Sequence, residues 1–328
     1  MAAYKTGDLV ALRSGLKGQI LRVIGKSDFA AQAFYEIGTK NGVLRLDGLH
    51  IVGPIGPELL VKLGRLPERV VYWFAKAEEG YGSRLFYTSD IDKMSQQKKE
   101  ALTVTPKAVG LDGPSRLKLS TLDGKLLSKL AHNGTADGFI GKGKNFALNM
   151  GMRPSEAVRS FITGKLTVCE CEGMMYVVYL NAICDLLGES MFDCAFQGLK
   201  IDQGGNEFTN CFAQAKLPGE AACQIGDWVY YVHTPFSGEK FRDLANSNKK
   251  GGAATGWNLL RASQNPHTYF GFGLVNQQGA AHSLHTVRSI MIKECGGNPN
   301  DIGWDLYLAF RRRVSAARLQ KWVAERFE

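Results

Sequence analysis

The stretch that decides the fold runs Gly164-Lys-Leu-Thr-Val-Cys-Glu-Cys-Glu-Gly-Met-Met-Tyr-Val-Val-Tyr-Leu-Asn-Ala-Ile-Cys-Asp-Leu-Leu-Gly188. From Met174 to Leu187 the sequence predicts a helix that is apolar on most of its faces, and Gly188 supplies a C-terminal stop. A helix of this kind belongs in the core of a globular domain. It is too short for a membrane span, which needs about 20 apolar residues, and Asn181 and Asp185 interrupt it.

Cys171 lies at or near the N-terminus of this predicted helix and is the most chemically suggestive residue of the chain. At a helix N-terminus the free backbone N–H groups and the helix dipole favour a thiolate over a thiol. The sequence therefore predicts an activated nucleophile at Cys171. The alternative interpretation is a buried structural cysteine.

Composition is that of an ordinary globular protein with an excess of basic residues. The chain has 328 residues, 45% hydrophobic and 22% charged, and a formal net charge of +9. The basic residues are dispersed, and the clusters considered are Arg311-Arg312-Arg313 and Lys249-Lys250. Without aromatic residues interleaved among them, these clusters favour solvated surfaces over a specific nucleic-acid site.

The cysteines argue for reduced thiols rather than a disulfide or zinc framework. All seven lie in the second half of the chain, their number is odd, and no Cys-x-x-Cys pair occurs. The first residues lack the apolar segment of a secretory signal. We therefore expect a cytoplasmic protein without metal or cofactor, while export by a route that uses no signal peptide stays open.

Residues 7–53 read as short alternating strands separated by turns such as Ser14-Gly15 and Asn41-Gly42. This pattern predicts a small SH3-like β-barrel over residues 1–55, a module that docks on a neighbouring domain or binds a protein partner. Pro54, Gly56 and Pro57 mark its end, and residues 56–140 form an accessory region. There we expect a short helix at 57–66, a strand at 70–75 and an exposed helix at 92–102.

Residues 141–328 are predicted to form the main domain. Arg153-Pro154-Ser155 starts a helix that runs to about Thr163, immediately before the central helix. Strands are expected at 226–232, 256–261 and 268–275, and an amphipathic helix over 302–327. A cysteine at a helix start, followed by an antiparallel sheet, is the layout of papain-like acyl-transfer enzymes. We therefore expect an α+β fold with a papain-like domain and a buried central helix.

Two consecutive segments carry a resemblance to a known family. Met152-Arg-Pro-Ser-Glu-Ala-Val-Arg-Ser-Phe-Ile-Thr-Gly164 is followed by Cys169-Glu-Cys-Glu-Gly-Met-Met-Tyr-Val-Val-Tyr-Leu-Asn-Ala-Ile-Cys-Asp-Leu-Leu-Gly-Glu-Ser-Met-Phe-Asp-Cys-Ala-Phe196. Together they resemble the spore-type bacterial transglutaminases of Bacillus. The resemblance resumes at Gly226-Asp-Trp-Val-Tyr-Tyr, at Gly256-Trp-Asn-Leu-Leu and at Tyr269–Val275, so it covers roughly residues 146–280 with breaks in the loops.

The resemblance implies roles for individual residues. Cys171 matches the nucleophile, and Glu170 matches the acidic residue immediately before it. The family's general base, an acidic residue, aligns with Trp257, and the histidine usual on the next strand aligns with Phe272. Glu170 is therefore one candidate for proton transfer. His267, which precedes the 268–275 strand, is the other.

The resemblance implies a calcium-independent protein-glutamine gamma-glutamyltransferase, or a related glutamine deamidase, that acts through a Cys171 thioester. Its substrates would be glutamine and lysine side chains of proteins. A second hypothesis is a papain-like cysteine amidase or peptidase with His267 as the base. A third is a catalytically inactive transglutaminase-like binding protein, which the residues Trp257 and Phe272 favour.

Overall fold

The structure is a computed structural model, and it describes residues 4–26, 33–143, 145–201, 207–216, 218–234, 256–272, 274, 281–294, 300 and 305–327. The predicted lysine pair Lys249-Lys250 lies outside the described residues, as does the end of the strand predicted to reach residue 275. Within the described part of the chain, no helix combines the length and the apolar character that a membrane crossing requires.

Five strands come first along the described chain, and helices and strands are mixed after them. The strands are β1 (Leu9–Leu12), β2 (Lys17–Lys26), β3 (Ala33–Thr39), β4 (Gly42–Asp47), β5 (Ile51–Pro54), β6 (Leu85–Tyr87), β7 (Thr103–Val104), β8 (Leu117–Lys118), β9 (Phe139–Lys142), β10 (Asn145–Leu148), β11 (Thr167–Cys169), β12 (Lys200–Ile201), β13 (Phe212–Lys216), β14 (Trp228–Thr234), β15 (Gly256–Ser263), β16 (Thr268–Phe270), β17 (His282–Ser283) and β18 (Asp305–Val314). The helices are α1 (Pro57–Leu63), α2 (Leu66–Gly80), α3 (Gln96–Ala101), α4 (Gly124–Asn133), α5 (Pro154–Thr163), α6 (Cys171–Leu187), α7 (Glu189–Ala195), α8 (Leu284–Glu294) and α9 (Ala316–Glu325).

The N-terminal strands form their own antiparallel sheet. Its five strands have the order β4-β3-β2-β1-β5. Alternate residues, among them Val10, Leu12, Ile20 and Ile37, meet in a separate small core. The predicted run of short strands between residues 7 and 53 is therefore present, and its alternation follows from the period of two along a strand.

The central helix α6 runs from Cys171 to Leu187, so it ends where the sequence predicts and begins three residues before the predicted Met174. Gly188 follows it at φ +81°, a conformation that glycine adopts without a steric penalty. Most of α6 is buried on every side, with α2 and α5 packed against it. Helix α6 is therefore the element around which the largest core among the described residues is built.

A six-stranded antiparallel sheet covers α6, in the order β13-β18-β14-β15-β16-β17. Its two faces belong to different cores. Trp228 and Leu260 lie in the core that contains α6, whereas Val229 and Leu259 lie in a second core with Met291 of α8. Successive residues of β14 and β15 thus point to opposite sides of the sheet.

Two secondary-structure predictions are wrong. Residues 70–75, predicted as a strand, belong to helix α2, because Val70, Trp73, Phe74 and Ala77 recur at helical spacing on its buried face. Residues 302–327, predicted as one helix, contain strand β18 and then helix α9. Tertiary pairing decides this case, because β18 lies between β13 and β14 and bonds to both.

The arginine run Arg311-Arg312-Arg313 lies on β18 and contacts the protein itself. Arg311 donates to the carbonyl of Ala222, Arg312 pairs with Glu172, and Arg313 binds Asp227. The run is therefore not the solvated face that the sequence favours. It ties the last strand to the rest of the domain.

Candidate active site

Cys171 stands at the junction between strand β11 and helix α6. Glu170 keeps an extended backbone, at φ −86° and ψ 158°, and the helix begins with the next residue. Cys169 points into the core and is fully buried, whereas Cys171 is only half-buried. Of the two neighbouring thiols, Cys171 is the one that a substrate can reach.

The side chain that faces Cys171 from the sheet is Asn258. Its Nδ2 donates a hydrogen bond to the sulfur of Cys171 at 3.0 Å. Its Oδ1 accepts a hydrogen bond from the indole N–H of Trp228 at 2.7 Å. Asn258 lies opposite Tyr230 in the β14–β15 register, so Trp228, two residues earlier on β14, shares its face of the sheet.

Trp257, which aligns with the family's general base, points to the other side of the sheet. It packs against the second core, beside Tyr231 and Leu259, and its indole N–H is buried without a hydrogen-bond partner among the described residues. The residue that meets Cys171 is therefore Asn258, one position later. Strand alternation signals that Trp257 and Asn258 face opposite sides, but the sequence does not say which side meets the helix.

The predicted acidic residue Glu170 lies at the helix start beside Cys171. Its carboxylate accepts a short hydrogen bond from the hydroxyl of Thr88. Glu172, on the other side of Cys171, forms an ion pair with Arg312 at 2.9 Å. Both carboxylates that flank Cys171 thus contact side chains from other elements.

Phe272, which aligns with the family's histidine, belongs to an aromatic group near the helix start. Its ring makes edge contacts with Tyr81 and Tyr87 at 4.9 Å between centroids. The hydroxyl of Tyr87 donates to the carbonyl oxygen of Phe272. Burial, with the negative charge on Cys171 as the next cause, raises the pKa of Tyr87 well above its ordinary value, so this hydroxyl stays a donor.

The structure does not bring His267 to Cys171. Its Nδ1 lies 3.5 Å from the carboxylate of Glu220, which also accepts a hydrogen bond from Tyr269 at 2.6 Å. His267 sits in the turn that joins β15 to β16, where Ser263 pairs with Thr268. Asn258 precedes Ser263 by five residues, a separation of roughly 16 Å along an extended strand.

The pKa of the Cys171 thiol is raised, whereas the sequence predicts that it is lowered. Burial raises it above its ordinary value, and the charges of Glu170 and Glu172 raise it further. The hydrogen bonds from Asn258 and from the backbone N–H of Glu172 act in the opposite direction. The lowered pKa predicted from the helix N-terminus is therefore outweighed by desolvation and by two neighbouring carboxylates.

The arrangement supplies a nucleophile and donors to its sulfur. An asparagine amide is not a base, so neither of the two groups bonded to the sulfur can accept the thiol proton. Among the described residues, no group of three or more His, Cys, Asp or Glu side chains is placed to hold a metal ion. The chemistry available at this site is nucleophilic attack by sulfur, with the charge on the sulfur stabilised by N–H groups.

Comparison with known proteins places this site in a family. Residues 140–289 match the family model of protein-glutamine gamma-glutamyltransferase, a range that contains both Cys171 and Asn258. Among solved structures the chain is similar to a transglutaminase from Geobacillus stearothermophilus (without C-terminal extension), at 13% identity and a TM-score of 0.48, over 81% of this chain and 97% of that one. No curated protein sequence matches it. Residues 140–289 are therefore similar to the protein-glutamine gamma-glutamyltransferase family, and this match indicates an acyltransferase enzyme.

Proposed function

We propose that the chain is a protein-glutamine gamma-glutamyltransferase that acts through a thioester on Cys171. One observation carries the proposal: Cys171 is partly exposed at the start of α6, and its sulfur lies 3.0 Å from the amide donor of Asn258. A reachable thiol with a fixed N–H donor is suited to attack on a carboxamide. The match of residues 140–289 to the family supports glutamine as the acyl donor.

The reaction proceeds in two acyl transfers. The Cys171 thiolate attacks the side-chain carboxamide of a protein glutamine, a C–S bond forms, the C–N bond breaks, and the nitrogen takes up a proton and leaves as ammonia. A lysine amine then attacks the thioester, a new C–N bond forms, and the thiolate is released. The amine gives up its proton to solvent. Attack by water in the second step yields glutamate, which is deamidation.

Formation of the thiolate sets the pH dependence of the first step. The side chain and the backbone group bonded to the sulfur are both donors, so the thiol proton leaves to solvent rather than to either of them. We propose Glu170 as the group that relays a proton from solvent to the departing nitrogen, because it adjoins Cys171 in sequence and its carboxylate accepts a hydrogen bond from Thr88.

Amine incorporation tests the proposal. Parent protein should attach a fluorescent primary amine to casein and release ammonia, and Cys171→Ala should abolish both. The matched control is Cys194→Ala, which removes another half-buried free thiol, on α7, and should leave both activities unchanged. Ammonia release without amine incorporation would indicate a deamidase, and cleavage of casein would indicate a peptidase.

A catalytically inactive binding protein is the second candidate, and the chemistry of Asn258 favours it. An amide occupies the position facing the nucleophile, and burial raises the pKa of the thiol. If neither ammonia nor amine incorporation is detected, and alkylation of Cys171 is as slow as that of a buried thiol, this reading replaces the first. The contact of His267 with Glu220 speaks against the peptidase alternative, in which His267 would be the base.

We extend the proposal to the finer description of the fold. A helix-start cysteine opposite an antiparallel sheet supports a papain-like catalytic part. Five antiparallel strands with their own core support an SH3-like N-terminal module, for which we propose a role in docking or in binding a protein partner.

A further inference from the structure

The orientation of the Asn258 amide is fixed by the indole of Trp228. An indole N–H is a donor only, so the atom of Asn258 that lies 2.7 Å from Trp228 Nε1 must be the amide oxygen. The amide NH2 then has to face the sulfur of Cys171, at 3.0 Å. The hydrogen-bonding chemistry of the two partners therefore decides between the two orientations of the amide. Shape alone would not decide, because the oxygen and the NH2 group have nearly the same size.

Trp228 is itself held from several sides. Its side chain is fully buried, and the guanidinium of Arg312 lies over its ring, 4.5 Å from the centroid. The same guanidinium pairs with Glu172 at 2.9 Å, and the ring of Tyr176 makes an edge contact at 5.1 Å. Glu172 and Tyr176 belong to α6, so the indole is fixed relative to the helix that carries the nucleophile.

We propose that Trp228 is the positioning residue of the site: its N–H locks the Asn258 amide in the orientation that presents a hydrogen-bond donor to the Cys171 sulfur. The role of that sulfur as the nucleophile rests on the proposed function. Asn258 thus serves as a fixed hydrogen-bond donor to the thiolate. It occupies the position from which a general base, if one were present, would take the thiol proton.

Loss of the indole N–H has a definite chemical consequence. Without it the amide is free to rotate and to turn its oxygen toward the sulfur. A carbonyl oxygen accepts a hydrogen bond from the neutral thiol and repels the thiolate. The neutral thiol is therefore stabilised relative to the thiolate, and the pKa of Cys171 rises. The pH profile of Cys171 alkylation should move upward by roughly one unit, which is about tenfold slower reaction at a fixed pH below the thiol pKa.

The experiment measures Cys171 alkylation by iodoacetamide against pH, with the modified peptide quantified by mass spectrometry. Trp228→Phe removes the N–H but also shrinks a buried ring. The second variant therefore replaces Trp228 with β-(3-benzothienyl)alanine, which keeps the bicyclic shape and has sulfur in place of N–H. The matched control is Trp257→Phe, which deletes an indole N–H one residue from Asn258 but on the other face of the sheet.

The proposal predicts an upward shift with both Trp228 replacements and the parent profile with Trp257→Phe. In an Asn258→Leu background the benzothienyl replacement should cause no further shift, because the group that it orients is gone. An unchanged profile for the benzothienyl variant, or a shift that persists in the Asn258→Leu background, would overturn it. Since alkylation needs no glutamine substrate, this result is separate from a failure of amine incorporation.

Discussion

Replacing Asn258 by leucine should raise the pKa of the Cys171 thiol and slow its alkylation. Leucine has the same branched arrangement of four heavy side-chain atoms as asparagine but offers no donor, so the hydrogen bond at 3.0 Å is lost. A hydrogen bond to a charged group contributes about 1.5–3 kcal/mol. At 1.36 kcal/mol per pKa unit, the pKa of the thiol should rise by roughly one to two units.

Loss of the Asn258 hydrogen bond should also lower the rate at which Cys171 is alkylated. Below the thiol pKa, the thiolate fraction falls tenfold for each unit of increase, so alkylation at a fixed pH should slow by roughly 10- to 100-fold. The assay measures modification of the Cys171 peptide by iodoacetamide from about pH 6 to about pH 10, on both sides of an ordinary thiol pKa. Amine incorporation into casein should fall in parallel.

A control separates reactivity from stability. Asn258→Leu also leaves the buried N–H of Trp228 without its acceptor, which should lower the free energy of unfolding by about 1–3 kcal/mol. Asn181→Leu makes the same substitution in α6, where the amide donates to the carbonyls of Val158 and Val177, and should cost stability without moving the thiol profile. An alkylation profile for Asn258→Leu that superimposes on the parent profile would refute the reasoning.

Three further outcomes follow from the structure. Amine incorporation should keep rising with pH beyond the ordinary thiol pKa, because the pKa of Cys171 is raised and its thiolate forms late; a plateau at neutral pH would contradict this. His267→Ala should leave the rate of Cys171 alkylation within about twofold of the parent, since the imidazole lies away from the sulfur, and a larger drop would restore it as a candidate base. Asp227→Asn should lower the free energy of unfolding, measured in urea, by about 3 kcal/mol, because it breaks a buried bidentate pair with Arg313. Glu36→Gln, at an exposed pair with Arg45, should lower it by less than about 1 kcal/mol. Equal losses for the two variants would rule out burial as the cause of the difference.

The sequence predicts the helices well wherever burial and periodicity agree. Helix α6 is apolar on nearly every side and ends at a glycine, so its place and extent follow from composition. The strand predicted at residues 70–75 is wrong because a six-residue window of mainly aromatic and β-branched side chains is typical of a strand. Extending the window to Ala77 exposes the helical spacing of the buried face of α2.

Strand β18 is harder to predict, because its position depends on contacts distant in sequence. Its ten residues carry three consecutive arginines and follow no clean alternation. Pairing with β13 and β14, and the ion pairs of Arg312 and Arg313, stabilise it as a strand. Strands β13 and β14 are distant from β18 in sequence, so their pairing with β18 leaves no pattern in the local sequence. The tendency of a segment to form a strand depends on the neighbouring strands with which it packs.

The sequence by itself places the candidate nucleophile, Cys171. A thiol at the start of a buried helix is set by local order along the chain, and Cys171 and Glu170 lie where that order puts them. Only the tertiary structure decides the partner of the thiol. Trp257 and Asn258 are adjacent, and strand alternation sends them to opposite faces, but which face meets α6 depends on how the sheet packs on the helix. That packing brings Asn258 to the sulfur, leaves His267 with Glu220, and buries the thiol beside two carboxylates, which raises its pKa where the helix terminus alone would lower it.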